Sequence, residues 1–130
     1  MSASAMIPID ASLDDVERLA WPADDSTLVL GVETSCDEIA AALVMGGHDV
    51  VSNVVSPQID IHAEFGGVVP EVASRAHLDV LNPVIARAIV EGGVAEERVD
   101  AVACTVGPGL VGALLVGVSA AKSLALAWDV

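Results

Sequence analysis

Two apolar runs, residues 28–32 and 39–44, are separated by only six residues: Glu33, Thr34, Ser35, Cys36, Asp37 and Glu38. Short apolar runs read as buried strands, and a break this brief between them reads as a hairpin. Its tip is chemically unusual. Solvated hairpin tips use Gly, Asn or Asp to set the backbone. This one has no glycine between Gly31 and Gly46 and gathers three acids, two hydroxyls and a thiol. A plain polar loop is one reading of it, and a site built from its side chains is the other.

The rest of the chain extends that hairpin. Residues 27–32, 39–45 and 50–56 are predicted as strands of an antiparallel meander, with Gly46-Gly47-His48-Asp49 as the second turn. Residues 57–70 form a long loop carrying Phe65, the chain's one Phe, ahead of Gly66-Gly67. A helix starts at Glu71, with Pro70 near its first turn and a kink expected at Pro83, and ends at Gly92-Gly93. Residues 99–106 are a fourth strand, Gly107-Pro108-Gly109 a tight turn, and residues 110–128 a helix rich in small residues. The order β-β-β-α-β-α is the opening of a ribonuclease-H-like or actin-like α/β lobe. Such a lobe closes with one more strand and helix, so residues 27–130 are expected to be a partial N-terminal lobe, truncated before completion. Residues 1–26 are expected to be a mobile acidic extension, with a short helix near residues 13–21.

Composition narrows the function. Hydrophobic residues make up 54% and aromatics 2%, which supports a core of Val, Leu, Ile and Ala but no base-stacking surface. A net charge of −14 opposes phosphate backbones, so the chain alone is a poor nucleic-acid binder. Its two cysteines, Cys36 and Cys104, give neither a disulfide framework nor zinc spacing. With no signal-peptide pattern, a reduced cytoplasmic setting is expected. The uncharged run 101–121 is long enough to span a bilayer. Thr105, Gly107, Pro108 and Gly109 split it into a strand and a helix, and no membrane is expected.

Several motifs could carry chemistry. Gly107, Gly109 and Gly112 match G-x-G-x-x-G between a strand and a helix. A dinucleotide site is disfavoured because the first unit is a meander. Two readings stay open, an anion site at the helix N-terminus and a tight turn made for close packing. If strands one and four are parallel, this turn and the acidic turn share one sheet edge, where nucleotide phosphates and their metals bind. Asp60, His62 and Glu64 alternate and with His77 might make a metal site, although a solvated loop fits their spacing better. Cys36 has no His near it in sequence, and an ordinary thiol is the better default.

Four blocks then resemble one family. They are Gly31-Val32-Glu33-Thr34-Ser35-Cys36-Asp37-Glu38; Ser56-Pro57-Gln58-Ile59-Asp60-Ile61-His62; Gly66-Gly67-Val68-Val69-Pro70-Glu71-Val72-Ala73-Ser74-Arg75-Ala76-His77; and Thr105-Val106-Gly107-Pro108-Gly109-Leu110-Val111-Gly112-Ala113-Leu114-Leu115-Val116-Gly117. In this order they are similar to the TsaD family of tRNA adenosine threonylcarbamoyltransferases, once described as O-sialoglycoprotein endopeptidases. The resemblance runs from about Leu28 to Val130.

It implies an actin-like (ASKHA) fold and transfer of threonylcarbamoyl from threonylcarbamoyl-AMP to N6 of adenosine 37 in tRNAs reading ANN codons. It places Cys36, Asp37 and Glu38 at the catalytic edge, with Ser35, Gly107, Pro108 and Gly109 lining the substrate cleft. It implies one iron or zinc ion in the full-length protein, held by an H-x-x-x-H motif and a later aspartate; no metal ligand of that set lies in this chain. The implied partners are a TsaB-like paralogue, met through the helices from Glu71 and Leu110, a TsaE-like ATPase, and tRNA only with the C-terminal part. The chain alone is therefore expected to be inactive. The alternative is a non-catalytic, TsaB-like interaction module dimerising through its helices.

Overall fold

The computed structural model describes residues 24–58 and 63–130. Among them are four strands, β1 (Leu28–Glu33), β2 (Glu38–Met45), β3 (Asp49–Pro57) and β4 (Ala101–Cys104), and two helices, α1 (Pro70–Gly92) and α2 (Val111–Trp128). The sheet order is β3-β2-β1-β4. β1 pairs antiparallel with β2 and parallel with β4, and β2 pairs antiparallel with β3. This is the α/β arrangement expected of the first actin-like lobe.

Side chains alternate along a strand, so one residue in two can face a core. Leu28, Leu30 and Val32 of β1, Ile39, Ala41 and Leu43 of β2, and Val54 of β3 take that face. Leu81, Val84, Ile85, Ala88 and Ile89 of α1 complete the same cluster, and Val116, Ala120, Leu124 and Trp128 of α2 pack on it. Burying each such Leu or Ile stabilises the fold by about 2 kcal/mol. The two helices thus cover one face and touch each other. The opposite face holds a shallow concavity floored by Gly31, Ala40, Ala42 and Ala103.

The parallel pairing of β1 with β4 positions the site. It is fixed at its start by Asp100, whose carboxylate accepts the Leu28 amide at 2.8 Å and whose own amide donates to the Leu28 carbonyl at 2.8 Å. From there Val32 lies opposite Cys104, and both strands end at one edge.

One expectation, the extent of the fourth strand, is corrected, and two others gain detail. α1 spans Pro70–Gly92 with Pro83 inside it. The core residues Leu81, Val84 and Ile85 flank that proline on both sides. β4 is shorter than residues 99–106, because Glu96–Arg98 form a 3-10 turn ahead of it. Within residues 57–70, the chain closes a turn in which the Gly66 amide donates to the Ala63 carbonyl at 3.2 Å. The helix stop holds: Gly93 takes the left-handed conformation, φ 64°, and caps α1. The helix expected near residues 13–21 lies outside the described residues.

The run 101–121 does divide into β4 and α2. α2 itself is long and apolar enough to cross a membrane by length and composition, with a mean hydropathy of 1.6. In the fold it packs on β1, β4 and α1.

Candidate active site

The turn between β1 and β2 is fastened one residue at a time. The Glu33 carboxylate accepts the Ser35 amide at 2.5 Å and the Thr105 hydroxyl just beyond β4. The Thr34 hydroxyl donates to the Ala113 carbonyl in α2 at 2.8 Å. The Ser35 carbonyl accepts the Leu110 amide, ahead of α2, at 2.8 Å. The Cys36 carbonyl lies 3.0 Å from His77 Nε2 in α1. The Asp37 carbonyl accepts the Gln58 amide, after β3, at 3.2 Å. Five consecutive residues thus hold segments drawn from every other side of the lobe.

Glu33 and Thr34 anchor the turn through their side chains, whereas Ser35, Cys36 and Asp37 anchor it through their carbonyls. Thr34 and His77 are buried, Ser35 and Asp37 are half-buried, and Cys36 and Glu38 are exposed. The acidic turn and the Gly107-Pro108-Gly109 turn meet at one sheet edge, as parallel strand ends require. A Cβ on Gly109 would stand 2.6 Å from the Ser35 carbonyl oxygen, which leaves room there only for glycine. Further along, a Cβ on Gly112 would stand 2.5 Å from Ser74 Oγ, and one on Gly117 would overlap the Thr34 hydroxyl. Close packing therefore accounts for Gly109 and Gly112 of the G-x-G-x-x-G pattern. The Leu110 amide is spent on Ser35.

The electrostatics follow from these contacts. Burial pushes the Glu33 carboxyl up, but hydrogen bonds from Ser35 and Thr105 outweigh it and hold the group below its ordinary value. Burial and then the neighbouring Asp37 push the Cys36 thiol up. A thiol raised in this way is poorly prepared to be a thiolate nucleophile. Asp37 and Glu38 remain as carboxylates able to accept hydrogen bonds from a substrate amine or hydroxyl.

Of the possible metal set, His77 is committed to other partners. Both ring nitrogens of that buried side chain are engaged, by Cys36 and by Gln58. Asp60 and His62 lie outside the described residues, and Glu64 is exposed. Among the described residues no three His, Cys, Asp or Glu side chains gather as a metal-binding group. The described residues therefore offer no ligand set for the metal that the family resemblance implies.

Sequence reasoning passed over the support of the turn: Glu33, Thr34, Gln58, His77 and Thr105. One signal was available for His77. It stands four residues from Ala73 and four from Leu81, on the core-facing side of α1. A polar ring at such a position needs partners.

Away from this edge, Leu78, Leu81 and Asn82 of α1 and Leu115, Val116, Ser119, Ala120 and Ser123 of α2 line an apolar groove. Leu78 and Leu115 are exposed, at 67% and 59%.

Comparison with known proteins bears on both surfaces. The family model for TsaD, tRNA N6-adenosine threonylcarbamoyltransferase, matches residues 49–130. A curated relative of that name from Clostridium perfringens is 55% identical over 105 residues, covering 81% of this chain and 31% of the relative. One from Pelobacter propionicus is 62% identical over 77% of this chain and 29% of its own length. One from Anaeromyxobacter dehalogenans is 63% identical over 78% and 30%. The chain therefore spans about three tenths of the curated relatives it matches. Among solved structures, YeaZ from Pseudomonas aeruginosa superposes with a TM-score of 0.57 at 23% identity, over 79% of this chain and 40% of that one. That likeness concerns the fold alone. A family model matched over most of the chain, with relatives at 55–63% identity across the same lobe, shows that this chain belongs to the TsaD family of tRNA N6-adenosine threonylcarbamoyltransferases.

Proposed function

We propose that this chain supplies the N-terminal part of the enzyme that moves threonylcarbamoyl from threonylcarbamoyl-AMP to N6 of adenosine 37 in ANN-reading tRNAs. The observation that carries this is the turn itself. It is fixed at five successive residues, by the side chains of Glu33 and Thr34 and the carbonyls of Ser35, Cys36 and Asp37, while Ser35, Cys36, Asp37 and Glu38 lie at the edge shared with the glycine turn. The reaction forms a C–N bond from N6 to the carbamoyl carbon and breaks the bond from that carbon to the AMP phosphate oxygen. One N6 proton must leave. The amine is a weak nucleophile because its lone pair is delocalised into the ring, so orientation matters. Asp37 and Glu38 would orient that amine and accept its hydrogen, with the Cys36 S–H beside them as a donor. No step is assigned to a metal on these residues.

Half a site is the natural extent of such a segment. The chain alone is proposed to be inactive and to work in the cytoplasm with a TsaB-like paralogue, a TsaE-like ATPase and the C-terminal part that meets tRNA. A chimera carrying residues 28–130 in place of the matching segment of a full-length relative tests this. Nucleoside mass spectrometry should find threonylcarbamoyladenosine in the tRNA with the chimera and none with this chain alone. An inactive but folded chimera would overturn the transferase reading. Product from the chain alone would overturn the half-site reading.

The groove between α1 and α2 favours a second reading, an interaction module of the TsaB kind. Its exposed Leu78 and Leu115 suit a partner helix pair. Binding of the paralogue without activity in the chimera would support it.

A further inference from the structure

We propose that His77 is a positioning residue that, with Gln58, sets the direction of the peptide unit carrying Asp37. This rests on the reading of Asp37 and Glu38 as substrate-facing groups. The His77 side chain is 0% exposed, so each ring nitrogen needs a partner inside the protein. Nε2 lies 3.0 Å from the Cys36 carbonyl oxygen. A carbonyl only accepts, so Nε2 carries the proton and donates. The Gln58 side-chain Nε2, which only donates, lies 2.8 Å from Nδ1, so Nδ1 accepts. Gln58 is itself 5% exposed, and its backbone amide donates to the Asp37 carbonyl at 3.2 Å.

Two neighbouring carbonyls, Cys36 and Asp37, are therefore held by two side-by-side residues that also hold each other. The peptide between those carbonyls cannot rotate without breaking a buried contact, and its direction decides where the Asp37 and Glu38 side chains point. An apolar residue at 77 would fill the space but leave the Cys36 carbonyl loose. His77 touches no reacting atom in this scheme; it acts through the turn.

Cys36, whose own carbonyl the clamp holds, is a built-in reporter. The experiment measures its alkylation by iodoacetamide in this chain, read by peptide mass spectrometry, for the parent and three variants. In His77→Gln the side-chain amide nitrogen reaches the place of Nε2 and can still donate to the Cys36 carbonyl. In His77→Asn it reaches only the place of Nδ1, and His77→Leu supplies neither. The rate is expected to rise about fivefold in the Asn and Leu variants, the scale of one lost hydrogen bond, with the Gln variant near the parent. Parent-like rates in all three variants, or equal rises in all three, would overturn the proposal. If the Asn and Leu variants do not fold, Gln58→Met leaves the ring in place and decides the matter. Faster alkylation then supports the clamp, and a parent-like rate overturns it. In the chimera, His77→Asn should lower kcat with KM for threonylcarbamoyl-AMP nearly unchanged. An inactive parent chimera would fail the transferase reading alone, since the alkylation series still judges the clamp.

Discussion

Thr34 rests against Gly117: its hydroxyl donates to the Ala113 carbonyl one helical turn earlier, and a Cβ on Gly117 would overlap that hydroxyl. The glycine is thus the condition for α2 lying over the turn. Gly117→Ala should destabilise the chain by about 1–3 kcal/mol, although alanine is the better helix former by about 1 kcal/mol. Thermal unfolding measures it. Thr34→Ala removes the obstructing hydroxyl along with its hydrogen bond. The Thr34→Ala/Gly117→Ala double variant should therefore lose less than the sum of the two single changes. Strict additivity would mean that the overlap is relieved elsewhere.

That pair also marks how far the sequence could be read. The strands were legible because residues 28–32 and 39–44 are continuous apolar runs, and apolar runs that short have few other folds. The small residues of α2 were legible as a packing surface. What they pack against was not, since Thr34 is 83 residues from Gly117 and nothing local pairs them. Separations of 41 and 72 residues likewise hid His77 from Cys36 and Thr105 from Glu33. β4 came out shorter because the 3-10 turn at Glu96–Arg98 is fixed by backbone bonds that residue types barely signal. Glu33, Asp37 and Glu38 stood out together as acids at a hairpin tip; the inward task of Glu33, accepting from the Ser35 amide and the Thr105 hydroxyl, did not.

Glu33 makes a pH prediction. Its carboxyl is held below the ordinary value of 4.5 in the folded chain. The stabilisation from such a group is fully present above the unfolded value and is lost as pH falls through the folded one. Glu33→Gln should therefore be less stable than the parent at neutral pH, and the difference should shrink as pH falls from about 5 toward 3. Urea unfolding at a series of pH values gives the curve. A constant difference across that range would mean that ionised Glu33 contributes nothing through Ser35 and Thr105.

The Cys36 thiol is pushed up by burial and by Asp37, so it is less ionised at neutral pH than a free cysteine. Alkylation proceeds through the thiolate. In the parent it should be slower than in the unfolded chain, and its pH midpoint should lie above the ordinary thiol value. Asp37→Asn should lower that midpoint and raise the rate at neutral pH by about two- to tenfold, as expected when a like charge is removed. An unchanged midpoint in Asp37→Asn would show that the two side chains do not sense each other.

The groove between α1 and α2 makes the last prediction. Leu115 is 59% exposed in the chain, so replacing it there should alter stability little. In a complex with a TsaB-like paralogue it would be buried, and a glutamate in its place would meet apolar surface. Leu115→Glu should weaken association with that paralogue by at least about thirtyfold, the scale of one lost leucine anchor. Isothermal titration and thermal unfolding together separate the two effects. Val90→Glu is the control: Val90, on the facing helix α1, is 77% exposed and does not line the groove. Equal losses in both variants would reduce the effect to added negative charge on a chain that already carries −14. Unweakened binding by Leu115→Glu would move the partner surface off this groove.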